Sequence, residues 1–302
     1  MRKERRIIYI INPISGTKSK ERLKNFISGK TEQEGISYSW ISSVANGDYS
    51  FLLEQIEKEA VTDIVIIGGD GTIGPVIESL KDQPVQFGVI PAGSGNGLAF
   101  GAGIAKSPQK ALAVIFKNHP VAIDGFRVNN RFACMLCGLG FDAKIAHDFA
   151  AQSQRGLITY IRQVFKNIFI ARPHAFGIRL KETRFETAAF FISVANSNQF
   201  GNHFTIAPKA SLSDGLLDIV IVIEQPKIAM LINTLRQVMG ANSLVKQNNL
   251  DYQKGVIYFQ TKEIEIYNPE NAPMHIDGDP VDSEKNVVIK IEEQCFKLLV
   301  NK

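Results

Sequence analysis

The sequence predicts an α/β domain with a parallel sheet, followed by a larger β-rich antiparallel domain. Three observations predict it. Strand and helix signals alternate over the first part of the chain. Asp63 to Ile67 carries a continuous apolar run, as a strand buried on both faces does. From Ile123 onward short segments that alternate apolar with polar residues dominate, the pattern of half-buried antiparallel strands. In a parallel sheet covered by helices, ligands bind beyond the carboxyl ends of the strands.

In chain order, Ile7–Ile11 reads as a strand, Lys20–Ile27 as a helix, Ser37–Ile41 as a short strand and Ser50–Glu59 as a helix. The buried strand Asp63–Ile67 is followed by a helix Ile73–Leu80, a strand Phe87–Ile90, and one or two helices over Gly97–Phe116. The second part reads as strands Phe126–Val128, Phe132–Leu136, Phe176–Leu180, Ala188–Ala195, Leu217–Ile223, Gly255–Gln260, Glu263–Tyr267 and Val287–Ile291. Two helices interrupt them, a basic amphipathic one over Gly156–Ala171 and a shorter one over Met230–Met239. The boundary falls near residue 123, giving domains 1–123 and 124–302, with the extreme C-terminus able to return to the first. A chain of 302 residues suits two cores.

Composition narrows the function. A net charge of +4 is a mild excess that suits an anionic membrane surface or an anionic cofactor, and is too small and scattered to argue for nucleic acid. No apolar run approaches the roughly 18–20 residues that cross a bilayer. The basic start resembles the n-region of a signal peptide, but its apolar stretch stops at Asn12-Pro13. The expectation is a cytoplasmic protein with peripheral contact at the inner face of the membrane. Three cysteines make no disulfide framework, and Cys134 and Cys137 read as core residues of a strand rather than zinc ligands. The five histidines do not cluster, and none is assigned a role.

The chemistry sits at three strand ends. Gly68-Gly69-Asp70-Gly71-Thr72 follows the apolar strand and precedes a helix. Glycines there let bare N–H groups approach phosphate oxygens, and the helix start favours an anion. An aspartate among them suits Mg²⁺ better than phosphate. Asn12-Pro13-Ile14-Ser15-Gly16-Thr17 and Pro91-Ala92-Gly93-Ser94-Gly95-Asn96-Gly97 follow two more strands of the same sheet. Together they describe a polyphosphate cradle that lacks the Gly-Lys-Ser/Thr ending of a Walker motif.

Asn-Pro-x-Ser-Gly, Gly-Gly-Asp-Gly-Thr and Pro-Ala-Gly-Ser-Gly-Asn, in that order, resemble the catalytic domain shared by diacylglycerol, sphingosine and ceramide kinases and their bacterial relatives. The resemblance continues through Gly138-Leu139-Gly140-Phe141-Asp142, Ala207-Pro208-x-Ala210, Asp214-Gly215-Leu216-Leu217-Asp218 and Ile276-Asp277-Gly278-Asp279. It implies a phosphofructokinase/NAD-kinase-like α/β domain and an antiparallel sandwich, an ATP- and Mg-dependent lipid kinase, and a membrane lipid as partner; a homodimer is compatible with it. Implied nucleotide contacts are Asn12, Pro13, Ser15, Gly16, Thr17, Ser42 or Ser43, Gly68, Gly69, Asp70, Gly71, Thr72, Gly74, Gly93, Ser94 and Asn96.

By the same resemblance, Asp70 organises Mg²⁺, and Asp277 and Asp279 supply the base toward the lipid hydroxyl. Asp124 belongs to that acidic network, and Ser211, Asp214 and Leu216 hold a structural cation. The chain has Asp279 where the family has Glu, and Gly74 where it has Asn. Ser94-Gly95-Asn96 resembles the sphingosine and ceramide kinase version of its loop, which sets a sphingoid base or ceramide slightly ahead of diacylglycerol. The alternatives are a kinase of a soluble acceptor such as NAD, and a non-catalytic lipid or nucleotide sensor.

Overall fold

The computed structural model describes residues 4–13, 20–150, 167, 170–199, 205–247, 250 and 255–301, without the side chains of 146–150. The chain forms two compact units, Met1–Ile123 with Gln294–Lys302, and Asp124–Glu293.

The first unit is built on parallel strands Arg6–Ile11 (β1), Ser37–Ser42 (β2), Asp63–Gly68 (β3) and Gln86–Pro91 (β4), in the order β4-β3-β1-β2. The central β1 and β3 are buried almost throughout, which is why they read as unbroken apolar runs. Helices Lys20–Gln33 (α1), Leu53–Lys58 (α2), Asp70–Leu80 (α3), Gly97–Gly101 (α4) and Pro108–Lys117 (α5) connect and cover them. α3 buries Thr72, Ile73, Val76, Ile77 and Leu80, the spacing of one helical face. It starts three residues before the helix expected at Ile73, because Gly69 is extended and lets the helix open on Asp70. The span Gly97–Phe116 is two helices, separated by a turn in which Gly103 takes φ +71°. The Ser50–Glu59 segment opens with a 3-10 turn, Ser50–Leu52, before α2.

The second unit is antiparallel. Its strands are Pro120–Val128 (β5), Arg131–Ala133 (β6), Leu136–Gly140 (β7), His174–Arg179 (β8), Arg184–Ala195 (β9), Leu217–Ile223 (β10), Val256–Thr261 (β11), Glu263–Tyr267 (β12), Met274–Ile276 (β13), Asp279–Val281 (β14) and Asn286–Leu299 (β15). β5 starts in the first unit, and β15 carries the chain back into it, where Leu298 pairs in parallel with Phe87 of β4. β9 pairs with β8 along its first half and with both β7 and β10 along its second. The strands wrap an apolar core that includes Phe126, Phe176, Ile192, Ile219, Phe259 and Ile289. Helices Phe141–Ala150 (α6) and Lys227–Val238 (α7) complete the described part. The helix expected over 156–171 lies mostly outside the described residues.

Two expectations are corrected here. Phe132–Leu136 is not one strand: the chain leaves the ladder between β6 and β7 at Cys134 and Met135, whose amides turn toward Asp277. Phe126–Val128 is the end of a nine-residue strand, whose first residues, from Pro120, alternate too weakly to read.

Candidate active site

The carboxyl ends of β1, β3 and β4 bring three loops of the first unit together. The loop after β3 and the loop after β4 touch through glycine: a Cβ added to Gly93 would lie 2.4 Å from the Gly69 Cα, and one on Gly69 would lie 2.9 Å from the Gly93 Cα. No side chain fits there. The Ala92 N–H donates to the Gly68 carbonyl at 2.8 Å, which fixes the register of the two turns.

Asp70 joins them a second time. Its carboxylate accepts the Gly97 N–H at 3.0 Å and the Leu98 N–H at 3.4 Å, so it caps α4 from across the sheet edge. Asn96, the residue before α4, sits in the left-handed region at φ 59°. Its buried side chain accepts the Gly93 N–H and donates to the Gly93 carbonyl, both at 2.8 Å. Asn96 therefore shapes its own loop. Asn12, at the end of β1, donates to the Thr72 hydroxyl at 2.9 Å and ties in the third loop.

Of the other implied nucleotide contacts, Gly71 is exposed, Gly69, Gly74, Gly93 and Ser94 are half-buried, and Gly68 and Thr72 are buried. Pro13 follows Asn12 directly. Ser42 ends β2 exposed, and the Ser43 N–H donates to the Ile11 carbonyl at 2.8 Å. Ser15, Gly16 and Thr17 lie outside the described residues. A cavity of about 850 Å³ opens at the opposite, amino end of the sheet, beside Arg5, Thr62 and Gln86. It lies away from the glycine turns, and ligands of open α/β sheets bind at the carboxyl end.

The second unit arranges its aspartates differently. Asp277 and Gly278 form the two-residue turn between β13 and β14, with φ 50° and 87°, the left-handed pair that an Asp-Gly hairpin favours. The Asp277 carboxylate accepts the N–H groups of Cys134 at 2.8 Å, Met135 at 2.9 Å and Leu136 at 3.0 Å. Burial raises its pKa more than those amides lower it. Asp279, two residues on, opens β14 in an exposed position.

Asp124 is fully buried, and its carboxylate accepts the Gly215 N–H at 2.7 Å. Asp214 is exposed and caps its own loop, accepting the Leu216 N–H at 3.1 Å. Burial raises the Asp214 pKa, and the nearby charge of Asp124 adds to the rise. Ser211 lies three residues before Asp214, half-buried. Among the described residues, no three His, Cys, Asp or Glu side chains gather to hold a metal. Cys134 and Cys137 are buried, and burial pushes the Cys137 thiol up, as for an inert core thiol.

Sequence reasoning left one pair unread. His275, fully buried in β13, meets Asp142 at the start of α6: its Nε2 lies 3.0 Å from Asp142 Oδ1. The Gly278 N–H points to His275 Nδ1 at 3.3 Å, which makes Nδ1 the acceptor and Nε2 the donor to the carboxylate. The other Asp142 oxygen is buried without a hydrogen-bond partner. Gly138 leaves room for the pair, since a Cβ there would lie 2.3 Å from the imidazole nitrogen. Asp142 ended one recognised motif and His275 stood one residue before another, but nothing in the spacing linked positions so far apart in the chain.

Residues 6–128 match the family model of the diacylglycerol kinase catalytic domain. Residues 136–300, more than half of the chain, match that of the YegS C-terminal NAD kinase beta sandwich-like domain. A protein of Escherichia coli O6:K15:H31 (strain 536 / UPEC) named "Probable lipid kinase YegS" is 26% identical over 267 residues, covering 86% of this chain and 85% of that one. A diacylglycerol kinase of Staphylococcus epidermidis (strain RP62A) is 25% identical over 283 residues, covering 92% and 86%. A crystal structure described as a diacylglycerol kinase from Bacillus anthracis str. Sterne shares the fold with a TM-score of 0.75 at 17% identity, covering 100% of this chain and 98% of that one.

Proposed function

This chain belongs to the lipid-kinase family that joins the diacylglycerol kinase catalytic domain to the YegS C-terminal domain, and on that premise we propose that it transfers the γ-phosphoryl group of ATP, with Mg²⁺, to the hydroxyl of a membrane lipid. The observation that carries this reading is the double junction of the glycine turns, by the close backbone approach of Gly69 to Gly93 and by the Asp70 carboxylate. The Asp70 and Gly71 N–H groups at the opening of α3 cradle phosphate oxygens, those of Thr72 and Ile73 being taken by the Gly69 carbonyl. Mg²⁺ typically takes one or two carboxylates plus substrate phosphates, which suits a single carboxylate, that of Asp70, at that edge; when bound, it neutralises charge on the transferring group.

On the acceptor side, Asp279 orients the lipid hydroxyl and takes its proton as charge develops. Asp277 is given a structural role instead, because three backbone amides converge on its carboxylate within 3.0 Å, whereas Asp70 accepts two, one of them at 3.4 Å. Asp124 positions the Gly215 turn. A cation held by Asp214 and the main-chain oxygens of Ser211 and Leu216 would relieve the crowding of like charge between Asp214 and Asp124.

We put diacylglycerol first among acceptors, a choice supported by the name of the Staphylococcus epidermidis relative. The sphingoid expectation rested on the Ser94-Gly95-Asn96 loop, and Asn96 spends its side chain on Gly93, so that loop carries little information about the acceptor. The test is transfer of label from radiolabelled ATP with Mg²⁺, offering diacylglycerol, sphingosine, ceramide or phosphatidylglycerol in detergent micelles. The expected result is labelled lipid, with the rate falling on the order of 10²-fold or more in Asp70→Asn. Wild-type protein that labels NAD and no lipid would overturn the reading.

A further inference from the structure

α7 is amphipathic the wrong way round. Met230 and Gln237 are buried beneath it, as expected of a helix on a sheet. Yet its outward face carries Ile228, Ile232, Leu235 and Met239, which are 72%, 52%, 52% and 75% exposed. At 100° per residue these four positions fall within an arc of about 60°, a continuous apolar ridge directed away from the core. A surface helix ordinarily places polar residues there.

The chemistry beside the ridge identifies what covers it. The helix has no carboxylate; its charged residues are Lys227 in the first turn and Arg236 in the last, on the two flanks of the ridge. Lys227 donates to the Ala171 carbonyl and stands over the Phe190 ring at 4.1 Å. That bond holds the start of α7 against the segment that contains Ile170, itself 64% exposed. A second copy of the chain is a poor occupant. A ridge about 16 Å long cannot supply the roughly 800 Å² per partner of a standard interface, and the cationic flanks of two copies would face like charge. An anionic bilayer surface answers both features, with apolar side chains in the acyl boundary and the exposed Arg236 head among phosphates, while Lys227 braces the start of the helix.

We propose that the Ile228–Met239 ridge of α7 is the surface by which this protein docks on anionic membranes. The inference rests on the lipid-kinase reading for its biological sense, but its test does not. Purified wild type and the triple variant Ile228→Gln/Ile232→Gln/Leu235→Gln are sedimented with vesicles of phosphatidylglycerol and phosphatidylcholine in equal parts. Wild-type partitioning is expected to fall about tenfold or more in the variant and to weaken with salt. The single variant Ile232→Trp is expected to shift its emission to the blue on the same vesicles and to be quenched by brominated acyl chains.

Kinase activity on lipid in detergent micelles, where docking is bypassed, is expected to survive in the triple variant, while activity on vesicles falls. A triple variant that sediments like wild type, or an Ile232→Trp emission that vesicles leave unchanged, would overturn the docking surface, whatever the kinase assay gives. A concentration-dependent dimer lost in the triple variant, with vesicle binding unchanged, would assign the ridge to a second copy and overturn it equally. Absence of lipid phosphorylation by wild type, with docking intact, would sink the kinase reading and leave the membrane surface standing.

Discussion

The glycine turns of the first unit and the aspartate turns of the second use the same raw material in opposite ways. After β3 and β4, two backbones approach so closely that only glycine fits, and the one carboxylate, Asp70, is aimed by the amides of α4. In the turn between β13 and β14 and within β5, the carboxylates of Asp277 and Asp124 are themselves the braces that hold backbone in place. In the first unit, backbone amides hold the acid in place. In the second, most of the acid is scaffolding. A conspicuous aspartate is therefore as readily a brace for backbone as a group free to react.

The sharpest way to break the comparison is at the point where the two glycine turns meet. Gly93→Ala inserts a methyl where 2.4 Å is available, so the two turns must separate. Affinity for ATP with Mg²⁺, read by calorimetry, is expected to drop on the order of 10²-fold. Gly29→Ala, with nothing within 4 Å of the new carbon, should bind like wild type and serves as the control. An unchanged affinity in Gly93→Ala would deny that the close approach matters.

Next in size is Asp277→Ala. It strands three amides that the carboxylate now satisfies, and a loss of about 3 kcal/mol or more in urea unfolding is expected. A variant as stable as wild type but catalytically dead would move Asp277 from brace to base and erase the contrast.

The smallest effect concerns Asp218, buried on β10, where the Tyr258 hydroxyl donates at 2.5 Å and the Gln260 amide at 2.9 Å. Burial, ahead of those bonds, raises its pKa. The folded state then holds this proton more firmly than the unfolded chain does. Its contribution is complete below the ordinary carboxylate range and is lost as pH rises through the raised value. Urea midpoints of wild type are expected to fall relative to Asp218→Asn as pH rises from about 4 toward neutrality. A parallel pair of pH profiles would deny that burial of Asp218 is felt in the stability of the fold.

The same contrast explains what the sequence made legible. Leu217–Ile223 and Glu263–Tyr267 read to the residue, because each is a complete run bounded by turn residues. The parallel strands read to within one residue at each end, β1 and β3 because burial on both faces leaves an uninterrupted apolar signal, which the half-exposed edge strand β2 lacks. The three-residue β13 and β14 are too short to show a period. β15 was legible only to Ile291 because its alternation breaks at Gln294, which takes φ 50° inside the strand. The glycine turns after β3 and β4 announced themselves as glycine clusters after strands. The Asp142–His275 pair and the three amides on Asp277 did not, because they join residues more than 130 positions apart, and chain order carries no sign of such meetings.

The return of Gln294–Lys302 to the first unit has a bearing on biosynthesis. Leu298 pairs with Phe87, the Phe296 ring meets the Phe87 ring edge-on at 6.0 Å, and the Val300 N–H donates to the His119 carbonyl at 3.1 Å. During vectorial synthesis β4 leaves the ribosome some two hundred residues before these partners are made, and until then it is an uncovered strand edge, the kind of surface that recruits foreign chains. The first unit is thus begun before the second and completed after it, and a nascent chain stalled before Gln294 would hold a sheet whose outermost strand is still waiting for its neighbour.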